Sequence, residues 1–251
     1  MKFYYNSIKL FAVSMLVATN FSCSSDDDSS SINGPEVTAP DTYVFERQGE
    51  STVSFGGQTA RLEMAASLFN KLNDENVDES ALLQMFNDGT GFYADATINN
   101  QDQIAAVLAL NNAGKKLGNK TAAYGDSSVQ PKIAGFLTEY AEDVSTKFNQ
   151  QAAAGVAGTY TTPTRTVRVN GKGMELNQVF AKSLIGALVM DQVAYGYLSE
   201  VKIGDGVDNN ASALGAGQYT TMEHHFDEGL GYVYGQESDI TTAATPQGNG
   251  I

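Results

Sequence analysis

The chain has 251 residues, with 29 Asp and Glu against 15 Lys and Arg, and a formal net charge of −14 at pH 7. So acidic a balance argues against a nucleic-acid partner, which needs a basic face, and against a polybasic grip on anionic lipid. With 42% hydrophobic residues and one cysteine, the sequence describes a globular domain with its own core and no internal disulfide.

Residues 1–22 read as a lipoprotein signal peptide. Lys2 and Lys9 make a basic start, Leu10 to Ala18 an apolar run too short to span a bilayer, and Ser22 a small residue at the cleavage point. Cys23 follows at once and supplies the thiol that a lipid needs. Residues 23–41, beginning Ser24, Ser25, Asp26, Asp27 and Asp28, carry too little apolar surface to offset the entropy of ordering and read as an acidic tether. Without the leader, Lys and Arg fall from 15 to 13 while Asp and Glu stay at 29, moving the formal charge from −14 to −16. The expectation is a lipoprotein held to a membrane by its acyl chains, with residues 42–251 as a single helical domain.

Leu62, Ala65, Ala66, Phe69 and Leu72 recur at helical spacing after the Gly56-Gly57 break. Ala81 to Phe86 predicts a short helix entered through Asp78 or Ser80. Ile104, Val107, Leu108 and Leu117 suggest another, interrupted at Asn111, Asn112 and Gly114. Pro131 to about Gln151 predicts an amphipathic helix with Ile133, Phe136, Leu137, Tyr140, Val144 and Phe148 inward. Val167 and Val169 alternate with Thr166 and Arg168 before Asn170-Gly171, the pattern of a small β-hairpin or loop insertion. Leu176 to Leu198 is apolar nearly all round, as a central buried helix would be. The fold class is mostly α.

Both histidines lie in Met222-Glu223-His224-His225-Phe226-Asp227-Glu228, predicted to be helical. His225 and Glu228 stand at i, i+3, and His224 and Glu228 at i, i+4, so either pair can converge on one ion. Nitrogen with carboxylate oxygen suits zinc or iron better than calcium. The competing reading makes His225 a core residue hydrogen-bonded to a carboxylate. Asp191, inside the apolar run, needs a hydrogen-bonding partner or a cation and is a further candidate ligand. There is no His-Glu-x-x-His string, nucleophile elbow or P-loop, so the chain reads as a non-enzyme and metallopeptidase activity lacks its glutamate base. The oxygen-rich Asp205 to Asn210 segment lacks EF-hand spacing and reads as a surface loop.

Three sets of strings resemble an uncharacterised lipoprotein family of Bacteroidota carrying domain of unknown function 4856 and imelysin-like in appearance. They are Tyr43-Val44-Phe45-Glu46-Arg47 with Val53 to Arg61; Lys182 to Ala187 with Asp191-Gln192; and His225 to Tyr232. The acidic run after Cys23 likewise resembles the surface-export signal of Bacteroidota lipoproteins. The resemblance implies an imelysin-like helical bundle, display from the outer membrane at the cell surface, and a link to iron uptake. It also implies a metal motif Gly-x-His-x-x-Glu, in which His225 and Glu228 match and Glu223 stands at the glycine position. Related chains continue as a second helical half, so this one is expected to be incomplete at its C-terminus.

Two functions follow as expectations. One is a surface lipoprotein binding iron, zinc or a metal-containing ligand through His225 and Glu228, with His224 and Asp191 as further ligands. The other is a non-catalytic outer-membrane adaptor that docks a receptor or glycan.

Overall fold

The computed structural model describes residues 42–93, 101–237, 239 and 241, which belong to one compact unit spanning residues 40–251. The signal peptide, Cys23 and the tether lie outside the described residues. A short antiparallel hairpin opens the domain: β1 (Glu46–Arg47) pairs with β2 (Glu50–Ser51). Gln48 and Gly49 between them both have positive φ, as a two-residue hairpin turn requires.

The chain then enters α1 (Gly56–Lys71), whose Leu62, Met64, Ala65, Leu68 and Leu72 edge is core. Asp78 caps α2 (Glu79–Asp88) by accepting from the Ser80 amide at 2.8 Å, as the sequence suggests. The next helix is α3 (Gln101–Ala109); Leu117 is not part of it but precedes a separate turn at Gly118–Lys120. The predicted Pro131 helix is α4 (Val129–Glu139), continued by π-helical turns over Tyr140–Val144 and a tight turn at Ser145–Lys147.

The insertion is a hairpin of β3 (Gly158–Thr161) and β4 (Thr166–Val169). Its connection is the Thr162 to Arg165 segment, not Asn170-Gly171. Asn170 is instead a buried organiser after β4, accepting from the Lys172 and Met174 amides and donating to Glu139 Oε1 at 2.7 Å.

The apolar run starts as α5 (Leu176–Leu184) and widens into π-helical winding over Ile185–Tyr197. The expectation of burial all round fails here. Met190 is 53% and Tyr195 69% exposed, with Ile185 also outside, because the wider winding departs from the spacing that would keep one apolar stripe inward. A single turn, α6 (Glu200–Ile203), leads through the Asp205 to Asn210 loop to α7 (Thr221–Tyr234). No helix among the described residues is long and apolar enough to cross a membrane.

The dry core lies where α1, α2, α4 and α5 meet, with Phe86 and Phe180 packed edge to face at 6.3 Å. At the other side α7 packs on α1 and on the π-helical segment. Two glycines allow that approach. A Cβ on Gly231 would stand 2.5 Å from Phe55 Cβ, and one on Gly229 would stand 3.3 Å from Tyr197 Cβ.

Candidate functional site

Where α7 crosses the start of α1, a cavity of about 390 Å³ remains, with walls that include Gly56, Gly57, Gln58, Arg61, Lys115, Lys120, Tyr197, Tyr219, His224 and Glu228. Helix geometry explains the α7 wall. His224 and Glu228 are one turn apart and share a face, whereas His225 is rotated about 100° away by the 3.6-residue turn. A complete capping box holds the start of α7: Thr220 Oγ1 accepts from the Glu223 amide at 3.1 Å, and Glu223 accepts from the Thr220 amide at 2.7 Å. Arg47 from β1 clamps the same Glu223 at 2.8 Å, and this guanidinium, with the Thr220 amide, holds the Glu223 carboxyl below its usual range. The glutamate at the expected glycine position therefore serves as a cap and an anchor for β1.

The four sequence-predicted ligands are not gathered. His225 Nδ1 is 2.8 Å from the Lys202 carbonyl and therefore carries the proton, leaving Nε2 to accept from Lys202 Nζ at 3.2 Å. Both ring nitrogens are thus engaged on α6. Glu228 Oε1 accepts from Gln58 Nε2 at 3.0 Å and from the Tyr197 hydroxyl at 3.3 Å. His224 stacks on Tyr219 at 4.4 Å, its Nε2 lies 4.0 Å from Glu228 Oε2, and its buried Nδ1 has no hydrogen-bond partner. Of the predicted set, the structure brings only His224 and Glu228 to one wall. Among the described residues no group of three or more His, Cys, Asp or Glu side chains is placed to hold a metal ion.

Asp191 has a different task. It accepts from the Gly125 amide at 2.8 Å, from the Tyr124 amide at 3.2 Å and from Gln192 Nε2 at 3.2 Å. Gln192, fully buried, also donates to the Lys120 carbonyl at 2.9 Å. This pair fastens the 120–125 segment to the π-helical one and so fixes where Lys120 stands. Arg61 fastens the neighbouring stretch, donating Nε to the Lys116 carbonyl at 3.1 Å and Nη1 to the Gly57 carbonyl at 3.0 Å.

A family model described as "Domain of unknown function (DUF4856)" matches residues 40–247. The chain belongs to this family. Neither a curated protein nor a solved structure gives a significant match. In this DUF4856 chain, two of the three sets of strings that carried the resemblance wall the cavity, through Gly56 to Arg61 and Glu228. The third supports it, through Asp191 and Gln192.

Arg61, Lys115 and Lys120 were missed by reading the sequence for metal ligands. One signal was present: three of the fifteen Lys and Arg fall within residues 115–120 of a strongly acidic chain. Asp227 was missed too. It is buried on α7, accepting from the Tyr43 hydroxyl at 2.6 Å and the Ser54 amide at 2.8 Å, and so ties the entry segment to the helix. Burial pushes its carboxyl above the ordinary range and the Tyr43 hydroxyl likewise upward. Burial and the nearby Glu228 push the Tyr197 hydroxyl to about 12, so it stays a neutral donor at the cavity wall.

Proposed function

We propose that the chain is the binding body of a lipoprotein, anchored through Cys23, displayed at the outer-membrane surface, and capturing a small polar ligand without chemistry on it. One observation carries the capture: the cavity between α1 and α7, whose volume of about 390 Å³ is within the range of small-molecule sites. The sequence of Cys23 and its acidic tether supports the anchor. The resemblance to imelysin-like proteins supports a role in uptake.

Native mass spectrometry of the full chain after exposure to a metabolite mixture tests the capture. A small-molecule adduct is expected, and it should vanish in Gly57→Leu, whose side chain enters cavity space. An adduct that survives the substitution places the ligand elsewhere. For the anchor, Cys23→Ala should leave the membrane fraction; persistence there rejects lipid attachment.

A second reading, capture of a transition metal or a metal-containing ligand, rests on His224 and Glu228 facing each other at 4.0 Å. Two protein ligands leave the remaining coordination to the incoming ligand or to water. Titration with zinc and with ferrous iron should then show binding weakened by His224→Ala and unchanged by His225→Ala. The reverse order would restore the sequence-derived assignment, and equal binding by all three proteins rejects the site.

A further inference from the structure

Cations are scarce in this chain, at 15 against 29 carboxylates, so each has a surplus of possible counter-ions. Elsewhere, among the described residues, half of the cations use that surplus: Arg47 meets Glu223, Lys71 meets Asp74, Lys116 meets Asp88, Lys147 meets Asp143 and Arg165 meets Glu175. At the cavity it is not. Among the described residues, no carboxylate lies within ion-pair distance of Arg61, Lys115 or Lys120, although all three line the same space.

Arg61 is only 8% exposed. A guanidinium buried to that degree is costly without a counter-charge. Its two carbonyl acceptors carry partial charge only, and the Tyr232 hydroxyl that it also meets is kept neutral by burial. Lys115 leans over the helix start: a Cβ on Gly57 would lie 3.0 Å from Lys115 Cε, 3.5 Å from its Nζ and 3.6 Å from Arg61 Nη1. Lys120 completes the group beside the Tyr197 ring. Desolvation, then Arg61, lowers the Lys120 pKa, with Glu228 the carboxylate that opposes them. That glutamate is held by Gln58 and Tyr197, with no hydrogen bond to any of the three cations.

The backbone adds to the same potential. α1 has no side-chain cap and no acidic residue in its first turn, so the amides of Gly56 and Gly57 and the positive end of a 16-residue helix are uncompensated. Gly56 has nothing within 4 Å of where a Cβ would stand.

From this arrangement we infer that the cavity binds the oxyanion group of a small molecule, a phosphate or a carboxylate, with Arg61, Lys115 and Lys120 as its counter-charges. The inference rests on the cavity being the binding site proposed above and names the chemistry of its ligand. Glu228 adds one constraint. A carboxylate among the cations repels a second oxyanion and accepts from a hydroxyl or amine, so the ligand has one oxyanion group and a hydrogen-bond donor on the rest of the molecule.

Calorimetric titration of the full chain with inorganic phosphate, with lactate and with neutral glucose tests it. Phosphate or lactate should bind, and the stronger of the two identifies the group. Lys115→Ala and Lys120→Ala should each weaken that binding at least tenfold, whereas Lys116→Ala, outside the cavity, should leave it unchanged. All four proteins should keep the same thermal midpoint within a few degrees, which separates lost binding from lost fold. Oxyanion binding indifferent to Lys115 and Lys120 overturns the inference. Glucose binding alone overturns the anion chemistry while the cavity keeps its role as a binding site; no binding of any probe overturns the inference, and only a missing metabolite adduct adds the failure of the broader reading.

Discussion

The two halves of α1 stand in opposite environments. From Leu62 to Leu72 its inner edge is dry, with Met64 and Leu68 fully buried in the apolar core. From Gly56 to Arg61 it faces a polar cavity, with glycines where side chains would fill the space. One helix thus takes its position from the packed half and presents an uncapped, positively polarised end at the other. The lesson concerns cost. Keeping Arg61 buried without a carboxylate is unfavourable in itself and persists because the rest of the helix is over-determined by packing.

Breaking the dry half should have the largest effect. Leu68→Ala is expected to cost about 2–5 kcal/mol, read from the urea midpoint at constant m-value, because it empties a fully buried site. Gly231→Ala strikes the junction between the halves. Its new Cβ, 2.5 Å from Phe55 Cβ, must push α7 from α1, costing about 1–3 kcal/mol. It should also weaken cavity binding, which Leu68→Ala should not do in the protein that remains folded.

Asp191→Ala should cost a similar ~1–3 kcal/mol by leaving the Tyr124 and Gly125 amides without their acceptor. Binding that survives unchanged in this variant would show that Lys120 does not depend on the Asp191 clasp. Thr220→Ala removes half of the capping box at the cavity-bearing helix and should lower stability by about 1 kcal/mol.

The smallest effect is a pH dependence. Arg47 and the capping amide lower the Glu223 pKa from 4.5, so their stabilisation is present above the unfolded value and is lost as pH falls through the folded one. Asp227 runs the other way. Burial raises its pKa from 3.8, so its ionisation erodes stability as pH rises from 3.8 through the raised value. Glu223→Gln should therefore be less stable than the native chain near neutral pH, and the gap should narrow on acidification; a gap constant down to the lowered pKa and below it would remove Glu223 from the acid limb. Asp227→Asn should flatten the opposite slope.

Helical segments were legible wherever local chemistry decides them. The 3.6-residue spacing from Leu62 to Leu72 marked α1, Asp78 marked the start of α2, and period two marked β4. The hairpin turn was displaced because Asn170-Gly171, a strong turn pair, is used after the strand, where the buried Asn170 side chain folds back on the Lys172 and Met174 amides. The site was legible only in part. Adjacent histidines on one helix differ by about 100° in direction, and nothing in a two-residue string says which faces a neighbour.

What the amino-acid order determined by itself was the acidic balance, the helical class and the spacing that sets His224 over Glu228, since charge and i, i+4 geometry are local properties. Only the tertiary structure decided that His225 would turn to Lys202, that Asp191 would clasp a loop, and that Arg61, Lys115 and Lys120 would meet at the start of α1. Arg61 lies more than 50 residues from Lys115 and Lys120 along the chain, and their meeting follows from Arg61 bonding the Lys116 carbonyl and Gln192 the Lys120 carbonyl. Such long-range contacts arise from packing, which no local pattern encodes.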